Sequence, residues 1–240
     1  MILIIIIFLG LILGLSFILG LRSMKDFQER PTEADYGAFL VQDPSHFTPN
    51  FIAQLHNLGL TKEIFQQTDP PIISFEHLTR GKQTALVLFA PKVLAAKLPL
   101  LRVELADYTT KIPVSFVNCF ELGLNGKALP KDFDNKLFTQ GLNLEEDEYL
   151  FLQIVSTPLG QASNFQVTMR MVVSAKDSIR RIAIARAAET NIKSITFLSR
   201  LPKKHSSSAN FESYQKRGLL PGEVKKFVLD GEDIFNLIKV

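Results

Sequence analysis

Glu76 and His77 adjoin in the stretch IISFEHLTR, and Asp107 follows in ELADY. Carboxylates and imidazoles are the residue types of general acid–base chemistry, so these three are the candidates for an anchored enzyme. Their spacing fixes no geometry between them. Nucleophilic chemistry has less support. Cys119 is the only cysteine and lies in the apolar run IPVSFVNCFEL, where a buried thiol is inert. No G-x-S-x-G elbow occurs. Phosphate binding would need the backbone amides of G-x-x-x-x-G-K-[ST]. The nearest stretch, ELGLNGKALP, sets Gly123 and Gly126 too close together and has Ala128 where a hydroxyl belongs. No G-x-G-x-x-G is present. His46, His56, His77 and His205 are scattered, without H-x-x-x-H or H-E-x-x-H spacing. The acidic run Glu145 to Glu148 lacks the spacing and glycine of a calcium loop. No catalytic, cofactor-binding or metal-binding residue is assigned, and no cofactor is expected.

Basic residues gather toward the C-terminus. Between Lys176 and Lys226 lie Arg180, Arg181, Arg186, Lys193, Arg200, Lys203, Lys204, Lys216, Arg217 and Lys225, with few acids. Arg180, Arg181, Arg186, Lys203 and Lys204 form the candidate contact surface, for anionic lipid heads or a nucleic-acid backbone. A solvated helix face followed by a polar loop explains the same residues. No aromatic side chains interleave with them as a base-stacking platform would need. The net charge of +3 is small for 240 residues and does not by itself point to nucleic acid.

Something must position these groups, and the first element is an anchor. The run Ile2 to Leu21 has no charged residue and a single polar one, Ser16. It matches the roughly 20 apolar residues that cross a bilayer core of about 30 Å. No Lys or Arg precedes it, and Gly20-Leu21-Arg22 is a poor cleavage site, so a retained anchor is expected rather than a secretory signal. Arg22, Lys25 and Arg30 follow the run, which places the main body on the cytoplasmic side and the N-terminus outside. Gly10 and Gly14 form G-x-x-x-G, a spacing that lets two helices approach closely. They are the candidate residues for helix association, with a second copy or with another subunit.

The expected organisation is an anchor (1–21), a juxtamembrane linker (22–35) and a cytoplasmic domain (36–240). Within the domain, YGAFLVQ reads as a strand. Thr48 and Pro49 open a helix with Phe51, Ile52, Leu55 and Leu58 at helical spacing. PPIISFEHLTRGKQTALVLFAP reads as a hairpin turning at Thr79-Arg80-Gly81-Lys82. PKVLAAKLPLLRVELADY reads as a helix kinked or divided at Pro99. A strand over IPVSFVNCFEL is followed by a second hairpin, EYLFLQIVS with NFQVTMRMVVS. In the latter, Phe165, Val167, Met169, Met171 and Val173 face one way and Gln166, Thr168 and Arg170 the other, the mark of a half-buried strand. Ser174 and Asp177 suggest the start of a helix with Ile179, Ile182 and Ala183 toward the core. LPKKHSSSAN reads as a polar loop, SITFLS as a strand and GEDIFNLIKV as a last helix. Hairpins alternating with helices give an α+β fold: antiparallel sheet with helices packed on one side. Two ferredoxin-like halves, 36–125 and 126–240, are suggested by the element order.

Parts of this sequence resemble the membrane-proximal region of type IV secretion (conjugation-type) coupling ATPases. The residues that carry the resemblance are Leu55-His56, Ser74-Phe75-Glu76, Asp107-Tyr108 and the strand NFQVTMRMVVSA, and it spans roughly Phe39 to Ala175. Members of that family carry a C-terminal motor domain with a P-loop, which has no counterpart in this sequence, so ATPase activity does not carry over. The resemblance implies a platform that docks on a separate motor or on membrane subunits. The resulting expectation is a membrane-anchored, non-catalytic interaction module of a transfer apparatus. Its partners would be the bilayer and other membrane or motor subunits, with self-association as a further option. The alternatives are a membrane-surface nucleic-acid binder and an anchored enzyme built on Glu76, His77 and Asp107.

Overall fold

Apolar residues after Asp35 form the first strand, β1 (Tyr36–Leu40). The structure is a computed structural model that describes residues 35–61, 71–98, 101, 103–125, 133, 135–160, 163–195, 197–202, 206–218 and 227–239. Helix α1 (Pro49–Gly59) starts as its sequence predicts: the Thr48 hydroxyl accepts from the Phe51 amide at 3.3 Å and Pro49 occupies the first turn. The hairpin of β2 (Ile73–Arg80) and β3 (Gln83–Pro91) turns at Gly81 and Lys82. Gly81 has φ 53°, and a Cβ there would lie 3.3 Å from the Glu145 carbonyl oxygen. The left-handed backbone of the turn favours glycine, and a Cβ would press on the 145–146 backbone.

The long helix expected over 91–108 is not formed. Among the described residues of this range the α-helical stretch is α2 (Lys92–Ala95), and Val103–Leu105 is an edge strand, β4, paired with β1. Pro99 cannot donate a helical hydrogen bond, and the Val-x-Leu alternation beyond it suits a sheet edge better than a second helix. β5 (Val117–Leu124), β6 (Tyr149–Pro158) and β7 (Asn164–Ser174) follow. Next come α3 (Ser178–Ser194), the short β8 (Leu198–Arg200), α4 (Ser207–Gln215), β9 (Phe227–Asp230) and α5 (Gly231–Ile238). The first four residues of α4, Ser207 to Asn210, fall inside the expected polar loop. The Ser206 hydroxyl accepts from the Ala209 amide at 3.2 Å and turns the serine run into a helix start.

The strands form one antiparallel sheet in the order β4-β1-β3-β2-β6-β7-β5-β8, with β9 beside the N-terminal half of β7. Two groups of four are visible in it. β1 to β4 stand in the order 4-1-3-2, and β5 to β8 stand in the order 8-5-7-6, the same permutation. The groups meet where β2 pairs with β6 from Ile73↔Ser156 to Arg80↔Tyr149. β5 ends at Leu124, before the boundary expected at 125, yet it pairs with β7 and β8 of the second group.

Helices lie on both faces, which corrects the expectation of one. Residues of α1, α3 and α5 share a core with Phe75, Leu152, Met171 and Phe120 on one face of the sheet. On the other face, Phe211 and Tyr214 of α4 pack with Cys119, Phe151 and Val172. The reason lies in β7, which is buried on both faces rather than half-buried: Met169 and Met171 are enclosed on one side and Arg170 and Val172 on the other. Each fully buried Leu, Ile, Phe or Met contributes about 1.5–3 kcal/mol, so an uncovered second face would forfeit much of the sheet's stability. Among the described residues no helix is long and apolar enough to cross a membrane. The expected anchor (1–21), with Gly10 and Gly14, and residues 22–34 lie outside the described residues.

Candidate functional site

Strand alternation sends every second side chain to the face covered by α4. Register then aligns one long polar side chain from each of four neighbouring strands: Glu76 opposite Gln153, Gln153 opposite Arg170, and Arg170 opposite Glu121. This row crosses the middle of the sheet. Glu76, Gln153 and Arg170 are fully buried, and Glu121 nearly so. His77 points to the opposite face, where burial lowers its pKa. Of the three acid–base candidates, the fold therefore brings Glu76 and Asp107 together and separates His77 from both.

The link between Glu76 and Asp107 is Arg217, which sits just beyond α4. Its Nε donates to Glu76 Oε1 at 3.1 Å, while Nη1 and Nη2 donate to Asp107 Oδ2 and Oδ1 at 3.1 and 3.3 Å. The guanidinium also stacks 4.4 Å from the Phe89 ring centre. Arg217 adopts φ 47°, and its amide and that of Gly218 bond back to the carbonyls of Tyr214 and Ser213. This is a Schellman ending with arginine in the left-handed position that glycine usually holds. The conformation costs about 1–2 kcal/mol, and the ion pairs it delivers offset that strain. Burial acts to lower the Arg217 pKa, but the charge of Glu76 and the hydrogen bonds of Asp107 outweigh it and leave the pKa raised. Asp107 is placed by its own local chemistry. It caps a 3-10 turn, Tyr108–Lys111, by accepting from the Thr109 amide and hydroxyl at 3.0 and 2.7 Å.

Four donors converge on the Glu76 carboxylate. Ser74 Oγ donates at 2.8 Å, Gln153 Nε2 at 3.0 Å and Arg217 Nε at 3.1 Å, and the Tyr108 hydroxyl bonds to the second oxygen. Further along the row, Arg170 Nη1 donates to Gln153 Oε1 at 3.1 Å, Nη2 to the Gly218 carbonyl at 2.6 Å, and Nε lies 3.8 Å from Glu121 Oε1. Burial lowers the Arg170 pKa, opposed by the charge of Glu121. Chemically the arrangement locks the strand row to the end of α4. Its groups donate to and accept from one another in a buried interior, where such a network holds geometry strongly. Cys119 lies on the same face, and burial pushes its thiol up to about 12, far from the range of a nucleophile.

His56 is buried, donates through Nε2 to the Leu159 carbonyl at 2.8 Å and meets the Phe165 ring edge-on. It ties α1 to the β6–β7 loop. The acidic run 145–148 is occupied by the protein's own cations: Glu148 takes Arg180 at 2.7 Å and Asp147 takes Lys176 at 3.0 Å. Among the described residues no cluster of three or more His, Cys, Asp or Glu side chains is placed to hold a metal ion.

The basic candidates are dispersed in their roles. Arg180 grips Glu148 with Nε and Nη2, and Arg181 donates to the Ala175 carbonyl at 2.8 Å. Arg186 is exposed, and Lys203 and Lys204 lie outside the described residues. The phase of α3 also differs from expectation. Asp177, rather than Ser174, is the N-cap, accepting from the Arg180 amide at 2.7 Å. With that start, Ile184, Ala185, Ala188 and Ile192 face the sheet, and Ile179 and Ile182 point outward, 78% and 46% exposed. The helix has two apolar stripes, and the sheet buries the C-terminal one. No protein-family model matches the chain, and no curated protein matches it significantly.

Proposed function

We propose that the chain is a membrane-anchored, non-catalytic interaction module, a component of a type IV secretion or conjugation-like transfer apparatus. Its body is read as two ferredoxin-like halves joined through β2 and β6, with the junction in 106–116 rather than at 125. The N-terminus lies outside the membrane and the domain on the cytoplasmic side. The observation that carries this reading is the outer face of α3. Ile179 and Ile182 stand one turn apart and exposed on a helix that also bears Arg180, Arg181, Arg186 and Lys193 against a single acid, Glu189. Glu189 is already engaged by Arg200 at 2.8 Å. Adjacent exposed isoleucines in a basic frame suit an apolar helix with acidic flanks, and the occupant proposed is such a helix from a membrane or motor subunit. The interior row supports the same reading: Glu76 and Asp107 are engaged by Arg217, so their part here is to hold the domain's shape.

Photo-crosslinking from positions 179 and 182 of the full chain in its native membrane tests this. The expected product is a defined adduct with a P-loop ATPase or a membrane subunit of a transfer apparatus. Adducts only with a second copy, adducts with nucleic acid, or no protein adduct at all would overturn the proposal.

A further inference from the structure

A cavity of about 990 Å³ opens beside α4 on the face that carries the polar row. Its floor is two rungs of the sheet. Ala85, Leu78 and Phe151 stand opposite one another in the first, and Arg80 and Tyr149 in the second. The segment 108–116 overhangs it with Tyr108, Ile112 and Phe116. Tyr108 and Tyr149 both pack on Phe151, with ring centres 5.8 and 5.5 Å away. The inside is therefore aromatic and aliphatic. The rim is cationic: Arg80, Lys111 and Lys176 face a single acid, Asp147. Asp147 is taken by Lys176 at 3.0 Å, and Arg80 is held over the Tyr149 ring. The Lys111 side chain is exposed at this rim.

We infer that this cleft binds a small amphiphile: an apolar chain with one terminal anionic group, a carboxylate or a phosphate. Hollows of this size with an apolar lining and a few polar groups at the mouth are the usual form of small-molecule sites. The rim selects the sign of the head group, with Lys111 as its first partner. The interior selects the body. Leu78, Ala85, Phe151 and Ile112 offer no side-chain donor or acceptor, so the first rung favours an apolar body, while the polar Gln83 and Ser174 stand with Arg80 and Tyr149 in the second. An alkyl chain loses nothing. Occupancy would also be felt inside, because Tyr108 both lines the cleft and bonds to Glu76. The inference stands apart from the α3 docking surface and survives its failure.

The four tyrosines, Tyr36, Tyr108, Tyr149 and Tyr214, make the test internal. The full chain, labelled with 3-fluorotyrosine and held in phosphatidylcholine nanodiscs, is titrated with octanoate, octyl phosphate, octyltrimethylammonium and AMP, followed by fluorine NMR. The expected result is a saturable shift of the Tyr108 and Tyr149 signals with octanoate, octyl phosphate or both, while Tyr36, stacked on Phe89, stays still. A response to one anion alone identifies the head group as carboxylate or phosphate. Lys111→Glu, on the exposed rim, should weaken binding at least about tenfold, through loss of one charge-assisted contact and repulsion of the anionic head. Ala85→Trp should fill the cleft and abolish it, with the Tyr36 signal reporting that the fold is kept. Equal binding of the cationic amphiphile, preferential binding of AMP, no saturable shift, or indifference to Lys111→Glu would each overturn the inference.

Discussion

Replacing Arg170 by methionine should lower the stability of the domain by about 3–5 kcal/mol, the cost of removing one member of a buried, hydrogen-bonded charge cluster. Arg170 is fully buried in the centre of β7. Methionine fills much of its volume, so the loss comes from what the guanidinium leaves behind: the carbonyls of Ser213 and Gly218, the Gln153 amide oxygen and the Glu121 carboxylate. Two of those acceptors belong to the last turn of α4 and its exit. Urea unfolding should therefore show a lower midpoint at unchanged slope, and amide exchange should quicken first in 206–218. Arg186→Met, on the exposed side of α3, is the control and should stay within about 0.5 kcal/mol of the parent. A loss below about 1 kcal/mol for Arg170→Met would mean that the row does not hold α4 in place.

The second large effect concerns the Glu76–Arg217 pair. Glu76→Gln and Arg217→Met should each cost several kcal/mol, because each leaves the other's buried polar atoms short of a partner. The double variant should lose less than the sum, by about 2 kcal/mol, within the range measured for directly coupled residues. Strict additivity would sink the idea that the two form one unit. Arg217 also sets a pH dependence through Asp107. Burial acts to raise the Asp107 pKa, but the hydrogen bonds and charge of Arg217, with those of Thr109, outweigh it and leave the pKa lowered. A lowered carboxylate contributes stability that is complete above its unfolded value of about 3.9 and is lost as pH falls through the lower folded value. Arg217→Met should flatten that acid limb of the stability curve, measured by urea midpoints across the acidic range.

The elements were legible where local chemistry decides them. Thr48-Pro49, the Gly81 turn and the alternation of β7 are written in adjacent residues. The polar row was legible in principle as well. Glu76 in SFEHL, Gln153 in FLQIV, Arg170 in TMRMV and Glu121 in CFELG are each one long polar residue near the centre of an apolar strand. Four such residues on one face of one sheet ask for a common partner. What no local pattern encodes is the register that aligns them, or that Arg217, 141 positions from Glu76, closes the set. The same limit explains α3. Its two apolar stripes are almost equivalent in sequence, and the cap at Asp177 together with the sheet beneath decides which is buried. α4 was hidden because a serine run reads as loop until Ser206 is seen as a cap. The pairing of β5 backwards onto β7 and β8 is a long-range choice that element order alone does not encode.

The central claim is that Ile179 and Ile182 are exposed for a partner and not for the fold. The direct measurement is a paired one on the full chain in membranes: urea unfolding and co-purification of the crosslinked subunit for the Ile179→Asp/Ile182→Asp variant. The substituted positions are open to solvent and add acids to a basic helix, so stability should stay within about 0.5 kcal/mol per site. Subunit recovery should fall at least about tenfold, the equivalent of 1.4 kcal/mol. Unchanged recovery with an intact fold would contradict the claim, and so would unfolding of the variant, which would show that the stripe belongs to the core.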